Sequence, residues 1–247
     1  MIERSGEAIV LRTWPFQEAD LLVSLFTRDQ GRVKGVARHA MRSRRRFGGA
    51  LEPMTHVRAT WAEKPRQELA RLDAFEILWS PLSGPINYAR TAALELLSEV
   101  LEQLPEGAVD DAVFRLTLTV LDELGIDRIW LPVTYFCLWM NRLMGWMPEL
   151  GHCAACGVAL DGGTVWYSSA ADGVFCHDDR RPTSSPLSGG SVALARKIFR
   201  GPLKPLISEP SAPGLLSRMP DLSHFAIEVL ERNLDGRLRS AQALSRT

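Results

Sequence analysis

No run of apolar residues in this chain is long enough to cross a bilayer. The longest, Ile129–Met140, has 12 residues, contains Pro132 and is followed by Asn141-Arg142, whereas a spanning helix needs about 20. Cysteine is scarce, with four in 247 residues, so a disulfide scaffold is excluded. The opening residues MIERSGEAIV carry Glu3 and Glu7 where a signal peptide needs an apolar run, and no secretion signal is expected. Together these features lead us to expect a cytoplasmic protein with reduced thiols and no membrane partner. Enzyme signatures are also missing. There is no G-x-x-x-x-G-K-[ST] loop, no G-x-G-x-x-G, no H-E-x-x-H and no G-x-S-x-G, and His39, His56 and His224 stand apart from any nucleophile in the sequence. The expectation is a protein that is not an enzyme and takes no small-molecule substrate, with a hydrolase of cryptic site the weakest alternative. Internal repeats and low-complexity tracts are absent too.

Net charge is zero, with 29 basic and 29 acidic side chains, but the balance is not local. Residues 1–80 carry 14 basic and 10 acidic groups, residues 81–150 carry 4 and 10, and residues 151–247 carry 11 and 9. Arg28, Arg32, Lys34, Arg38, Arg42, Arg44, Arg45 and Arg46 fall within one stretch whose only acid is Asp29. Such a focused field attracts polyanions. The acidic middle repels them and points to a protein partner. Nucleic acid is therefore expected on the N-terminal part.

Periodicity divides the chain into three blocks. In residues 1–80, Glu7–Trp14, Asp20–Thr27, Arg32–Ala37, Val57–Glu63 and Gln67–Trp79 read as strands, with Pro15-Phe16-Gln17 and Asp29-Gln30-Gly31 as turns. Val57, Ala59 and Trp61 share one face, as do Leu69, Leu72, Phe75, Ile77 and Trp79 if a bulge intervenes. Five strands without helical periodicity predict a small barrel. After the break at Ser80–Pro85 the period becomes helical. Ala93, Leu96, Leu97, Val100, Leu101 and Leu104 form one apolar stripe, and Val113, Leu116, Val120, Leu121 and Leu124 a second. A third helix is expected from about Ile129 to Met147. In it Cys137 lies on the apolar face and reads as a small buried hydrophobe. The last block starts at Pro148. A short helix is expected over Ser191–Phe199, a loop over the five prolines between Pro202 and Pro220, and an amphipathic helix from Leu222 to about Leu238.

The sharpest motif is Cys153-Ala-Ala-Cys156-Gly157, separated by 19 residues from Cys176-His177-Asp178-Asp179. Two thiolates on a tight turn reach one tetrahedral centre, and a second pair 15–20 residues on closes it. The second pair has Asp179 where a cysteine is expected. Asp179 has the better spacing from Cys176 and His177 the better chemistry, while Asp178 and His152 are also able to ligate. The expected set is Cys153, Cys156, Cys176 and Asp179 around a structural Zn2+. The competing reading is a knuckle that has lost its metal and kept its thiols for packing.

Residues 38–46 concentrate arginine, whose planar fork pairs phosphate oxygens and which never loses its charge. Barrels of the OB type track single strands with a charged groove and aromatic platforms. The candidate DNA-binding residues are Arg32, Lys34, Arg38, Arg42, Arg44, Arg45 and Arg46. Trp14, Phe16 and Phe47 are possible stacking residues, each more readily explained as core.

The run Glu18–Gly31 (EADLLVSLFTRDQG), the segment Gly35-Val-Ala-Arg38…Arg42-Ser-Arg44, Leu51-Glu-Pro53 and Cys153-Ala-Ala-Cys156-Gly resemble the bacterial RecO family of DNA repair proteins over essentially the whole chain. In that family Asp179 stands where a fourth cysteine is common, and the basic loop often contains lysine where this chain has arginine and histidine. The resemblance implies an α+β multi-domain protein: an N-terminal OB-fold over residues 1–80, then a helical domain over 81–247 with a zinc-knuckle-like insertion at about 148–182. It implies a recombination mediator that binds single- and double-stranded DNA, anneals complementary strands, works with RecR, contacts the single-strand binding protein SSB and helps load RecA, in the nucleoid-associated cytoplasm. An RNA-binding or ribosome-associated OB protein with a zinc knuckle is the alternative from another class.

Overall fold

The structure, a computed structural model, describes residues 1–247 except 44, 106, 108, 126–128, 209–214, 235 and 245–247, and the side chains of 215–218 also lie outside the described set. The chain packs as two compact units, Met1–Leu121 with Leu238–Thr247, and Asp122–Arg237.

The first unit is built on a closed five-stranded barrel. Its strands are β1 (Ile2–Phe16), β2 (Asp20–Thr27), β3 (Gly31–Ala37), β4 (His56–Glu63) and β5 (Ala70–Trp79), in ring order β1-β2-β3-β5-β4. β1 is nearly twice the expected length. Its first half pairs with β4, Ile2 opposite Glu63 through Ile9 opposite His56, and its second half pairs with β2, with a bulge between Val10 and Arg12. Polar Glu3, Arg4, Ser5 and Gly6 conceal that first half from any hydrophobic pattern. The ladder to β4 makes it a strand, and it leaves no sheet edge open. Pro15 sits near the end of β1, where a missing donor costs little. Closure requires the parallel contact of β3 with β5, Gly35 opposite Ala70. A Cβ on Gly35 would stand 2.7 Å from the Ala70 carbonyl and from a Leu72 methyl, so the seam closes only on glycine.

Alternation fills the barrel as expected on β4, where Val57, Ala59 and Trp61 are buried. On β5 the pattern departs from expectation: Ala70, Leu72 and Phe75 point inward, while Ile77 and Leu69, the residue before the strand, are exposed. Register shifts at His56/Val57 and Thr60/Trp61 turn the ends of that strand outward. The segment between β3 and β4 is ordered by its own apolar residues. Phe47, Ala50 and Met54 are fully buried, and Phe47 packs edge-on against Phe75 with ring centres 5.4 Å apart. Truncating a buried phenylalanine costs about 3–5 kcal/mol, so the basic loop rests on a firm anchor.

Three helices complete this unit: α1 (Tyr88–Glu102), α2 (Asp111–Glu123) and a C-terminal helix described below as α7 (Arg239–Leu244). The Asn87 side chain caps α1 by accepting from Arg90 N. Ser98 Oγ donates to the Leu11 carbonyl at 2.8 Å, and Phe114 of α2 stacks on Phe26 of β2. Glu99 of α1 accepts from the backbone of Arg239 and from the backbone and hydroxyl of Ser240. A carboxylate supplied by α1 thus satisfies the orphan N–H groups that open α7.

The second unit holds α3 (Trp130–Leu143), a three-stranded antiparallel sheet of β6 (Val165–Ser168), β7 (Ala171–Phe175) and β8 (Ser185–Leu187) in order β7-β6-β8, and helices α4 (Gly189–Ile198), α5 (Leu203–Ser208) and α6 (Leu215–Asn233). α3 stops short of Met147 because Gly145, at φ 73°, turns the chain and lets Trp146 and Met147 donate to the Asn141 carbonyl. It packs on α6 through Thr134–Ser223 and Asn141–Ala226 hydrogen bonds. Cys137 is fully buried, and burial pushes its thiol up to about 12. The proline-rich stretch corrects our expectation of a loop: α5 and the start of α6 lie within it. Pro205 falls in the first turn of α5, where its missing N–H has no partner to lose. Pro220 lies inside α6, beyond its first turn. The last amphipathic helix accordingly begins earlier than Leu222 and ends at Asn233, and α7 is a separate helix.

Candidate functional site

The basic residues are spread over the β2–β3 turn, β3 and the β3–β4 loop, and their side chains have different fates. Arg28 is paired with Asp111 at 2.6 Å and lies 3.7 Å from Glu7. Arg32, nearly buried on β3, donates to the Glu102 carbonyl and sits 3.6 Å from that residue's carboxylate. The acidic helices thus neutralise the first two basic side chains of the run. Lys34 is half-buried on β3 opposite Ser24. Arg46 is turned back on its own loop, donating to Ser43 Oγ and to the Arg38 carbonyl with its guanidinium 5.2 Å from the Phe47 ring centre. Arg38, Arg42 and Arg45 are exposed, and among the described residues no acid pairs with them. Arg44 lies outside the described residues.

The same end of the barrel carries a concavity of about 620 Å3 between the β1–β2 turn and the start of the basic loop. Its walls include Phe16, Gln17, Asp20, Arg38, His39 and Arg42. Asp20 Oδ1 accepts from His39 N at 2.7 Å, and Met41 N donates to the Ala19 carbonyl. These bonds hold the short 3-10 turn Ala40–Arg42 against the β1–β2 turn. Of the three aromatic candidates, Phe47 is core, Trp14 is half-buried opposite Leu22, and Phe16 is 36% exposed on the concavity. Gln17 and its neighbours, read from sequence only as a separator between strands, prove to be part of this wall.

The cysteine motif forms a second constellation. Cys153 and Cys156 lie on a tight turn closed by Cys153 N to Val158 O and Gly157 N to Cys153 O, both 2.9 Å. The β6–β7 hairpin, unread from the sequence, delivers Cys176 directly after the end of β7. Ala154 N donates to the Val174 carbonyl at 2.8 Å, and a Cβ on Gly173 would meet the Ala154 methyl at 2.4 Å. Glycine is therefore what lets the hairpin and the knuckle touch. The Sγ atoms of Cys153, Cys156 and Cys176 and an oxygen of Asp179 all lie within 4.8 Å of one another. Cys156 and Cys176 sulfurs are 3.9 Å apart, and Asp179 Oδ2 is 3.3 Å from Cys153 Sγ and 3.2 Å from Cys176 Sγ. A tetrahedral zinc with Zn–S of about 2.3 Å and Zn–O of about 2.0–2.2 Å sets edges near 3.8 Å between sulfurs and about 3.5 Å from sulfur to oxygen. The donor set fits. Cys176 N also donates to Cys153 Sγ at 3.3 Å, the kind of outer hydrogen bond that orients a thiolate. Asp179 pushes the Cys156 thiol up to about 12, and hydrogen bonds from Cys156, Cys176 and Cys153 hold the Asp179 carboxyl below its usual range. Four donors competing for positive charge are what a divalent cation relieves. The other sequence candidates are elsewhere: exposed His177 beside Asp178, and His152 with Glu149 at 3.1 Å.

These features meet their counterparts in known proteins. Residues 1–81 match the family model described as Recombination protein O N terminal, and residues 87–242 match Recombination protein O C terminal. The chain is 46% identical over 244 residues to the DNA repair protein RecO of Koribacter versatilis, covering 98% of both chains. It is 34% identical over 213 residues to RecO of Anaeromyxobacter sp. (strain K), covering 83% of this chain and 82% of the relative, and 31% identical over 203 residues to RecO of Bifidobacterium adolescentis, covering 79% and 81%. An OB-like barrel followed by helices with a Cys3Asp cluster, matched along its length by these relatives, is thus the architecture of a DNA repair and recombination protein. The chain belongs to the RecO family. No helix among the described residues is long and apolar enough to cross a membrane.

Proposed function

We propose that this chain binds single- and double-stranded DNA by its phosphates, through the barrel's basic loop, and anneals complementary strands. With RecR it helps load RecA onto SSB-coated DNA. The functional division we assign is barrel, residues 1–80, for DNA, and residues 81–247 for partners, including the knuckle at about 148–182. The observation that carries this reading is the separation of the arginines. Arg28 and Arg32 are neutralised from within, and Arg46 is folded onto its loop. Arg38, Arg42 and Arg45 remain exposed on one end of a closed barrel, with no acidic partner among the described residues. Charge displayed this way, without a helix to enter a groove, suits contact with backbone and not with base edges. Structural zinc, held by Cys153, Cys156, Cys176 and Asp179, would fix the knuckle on the β6–β7 hairpin and supply no reaction chemistry.

A mobility-shift series on SSB-coated single strands, with and without RecR, tests the reading. The expected result is a slower complex containing this chain, strengthened by RecR and indifferent to ATP, with faster RecA assembly. Failure to associate with SSB-coated DNA under either condition would contradict the partner part of the proposal.

A further inference from the structure

The concavity at the end of the barrel has the furnishings of a site for one unpaired nucleotide. Its volume of about 620 Å3 lies inside the roughly 300–1,000 Å3 range of small-molecule pockets. One wall is Phe16, an aromatic ring 36% exposed where Phe26, Phe47, Phe75 and Trp61 are buried and Trp14 and Trp79 half-buried. Arg38 and Arg42 lie on the same wall set, neither paired with an acid among the described residues. Glu18 and Asp20 also line it, and the Asp20 carboxylate accepts from His39 N. The lining is thus balanced in charge, which suits a base with its single phosphate better than a run of phosphates. Two of its residues, Gln17 at φ 60° and His39 at φ 53°, occupy left-handed backbone without being glycine. Strain of that kind persists only where surrounding bonds enforce it, and it concentrates at binding sites.

We propose that this concavity is a single-nucleotide subsite in which a base stacks on Phe16 while Arg38 and Arg42 hold its phosphate. The proposal rests on the reading that the barrel binds DNA, and it adds the device that tells single strands from duplex. Bases in a duplex are stacked and paired, so none can enter. An unpaired base can, and every base has a face to offer, so the subsite is tolerant of sequence. Phosphate contacts alone give no such discrimination.

The test compares full-length protein with Phe16→Ala, Phe16→Trp and the double variant Arg38→Ala/Arg42→Ala. The readout is affinity for a single strand and for a duplex of equal length, and the quenching of a 2-aminopurine base in the single strand. Phe16→Ala is expected to lower the single-strand to duplex affinity ratio by roughly 5- to 150-fold, the range one base–aromatic stack supports, and to abolish the fluorescence change. Phe16→Trp is expected to restore both. The arginine double variant is expected to weaken both DNA forms. An unchanged ratio in Phe16→Ala, with the arginine variant still weakened, overturns the subsite and leaves the barrel as the DNA surface. If the arginine variant binds both forms as tightly as the parent, the barrel reading falls and the subsite falls with it.

Discussion

Replacing Arg38, Arg42 and Arg45 together by alanine should flatten the salt dependence of single-strand binding by a calculable amount. Each phosphate neutralised on a single strand contributes about 0.7 to the slope of log affinity against log salt. Three exposed guanidiniums with no acidic partner among the described residues therefore account for a slope of about 2, which over a fourfold rise in salt is roughly a 20-fold loss of affinity. The triple variant should bind more weakly at low salt and respond less steeply as salt rises. The comparison variant is Arg28→Ala/Arg32→Ala. Those side chains are already committed to Asp111, Glu7 and Glu102, so their loss should lower thermal stability and leave the slope nearly unchanged. The assay is fluorescence anisotropy of a labelled oligonucleotide across a salt series. An unchanged slope in the triple variant, or an equal drop in both variants, would refute the division of labour among the arginines.

Two further outcomes follow from the remaining geometry. Elemental analysis should find about one zinc per chain, as a single tetrahedral site demands, and Cys153→Ser should remove it. Hydrogen-exchange protection should then fall across Cys153–Cys176 while β1–β5 keep theirs; metal-free protein with unaltered protection would show that the knuckle stands on packing. Glu99 should make the docking of α7 sensitive to acid. Burial alone would raise its carboxyl, but the hydrogen bonds from Ser240 and Arg239 outweigh burial and hold it below the usual range. A depressed folded value means the stabilisation is complete above the unfolded carboxyl value of about 4.3 and drains away as pH falls through the folded one. Thermal melts below that pH should therefore drop more steeply for the parent than for Glu99→Gln; parallel acid profiles would contradict the latch.

Alternation made β4 legible, because one of its faces is buried and the other wet, whereas β2, buried continuously from Val23 to Thr27, was legible as a short β-rich run between turn signals. β2 matches its expected limits, and β3 and β4 each begin one residue earlier than expected. The first half of β1 was not legible, since its strand character comes from pairing with β4 fifty residues away and not from its own residues. Helix α5 was hidden by Pro205, because a proline rule blind to position treats the tolerant first turn like a helix interior, and the start of α6 was hidden by Pro220, which lies inside that helix where proline ordinarily ends one. At the metal cluster the spacing of Cys153, Cys156 and Cys176 named three donors. The fourth was open among Asp179, His177, Asp178 and His152 until the hairpin's path brought Asp179 alone against the thiols. In the basic run every arginine looked alike in sequence. Which of them keep their charge available depends on Glu102, Asp111 and Phe47, none of which can be assigned to a partner without the fold.

In the mechanism we propose, exposed arginines on the barrel bring two like-charged strands together while base pairing supplies the selection. Annealing of complementary oligonucleotides, followed by fluorescence quenching without ATP over a salt series, tests it most directly. The intact protein should accelerate annealing at low salt and lose that acceleration as salt rises, because counterion release then favours binding less. The Arg38→Ala/Arg42→Ala/Arg45→Ala variant should anneal little faster than the strands do alone. Equal annealing by both proteins at low salt would place strand pairing elsewhere in the molecule and contradict the account.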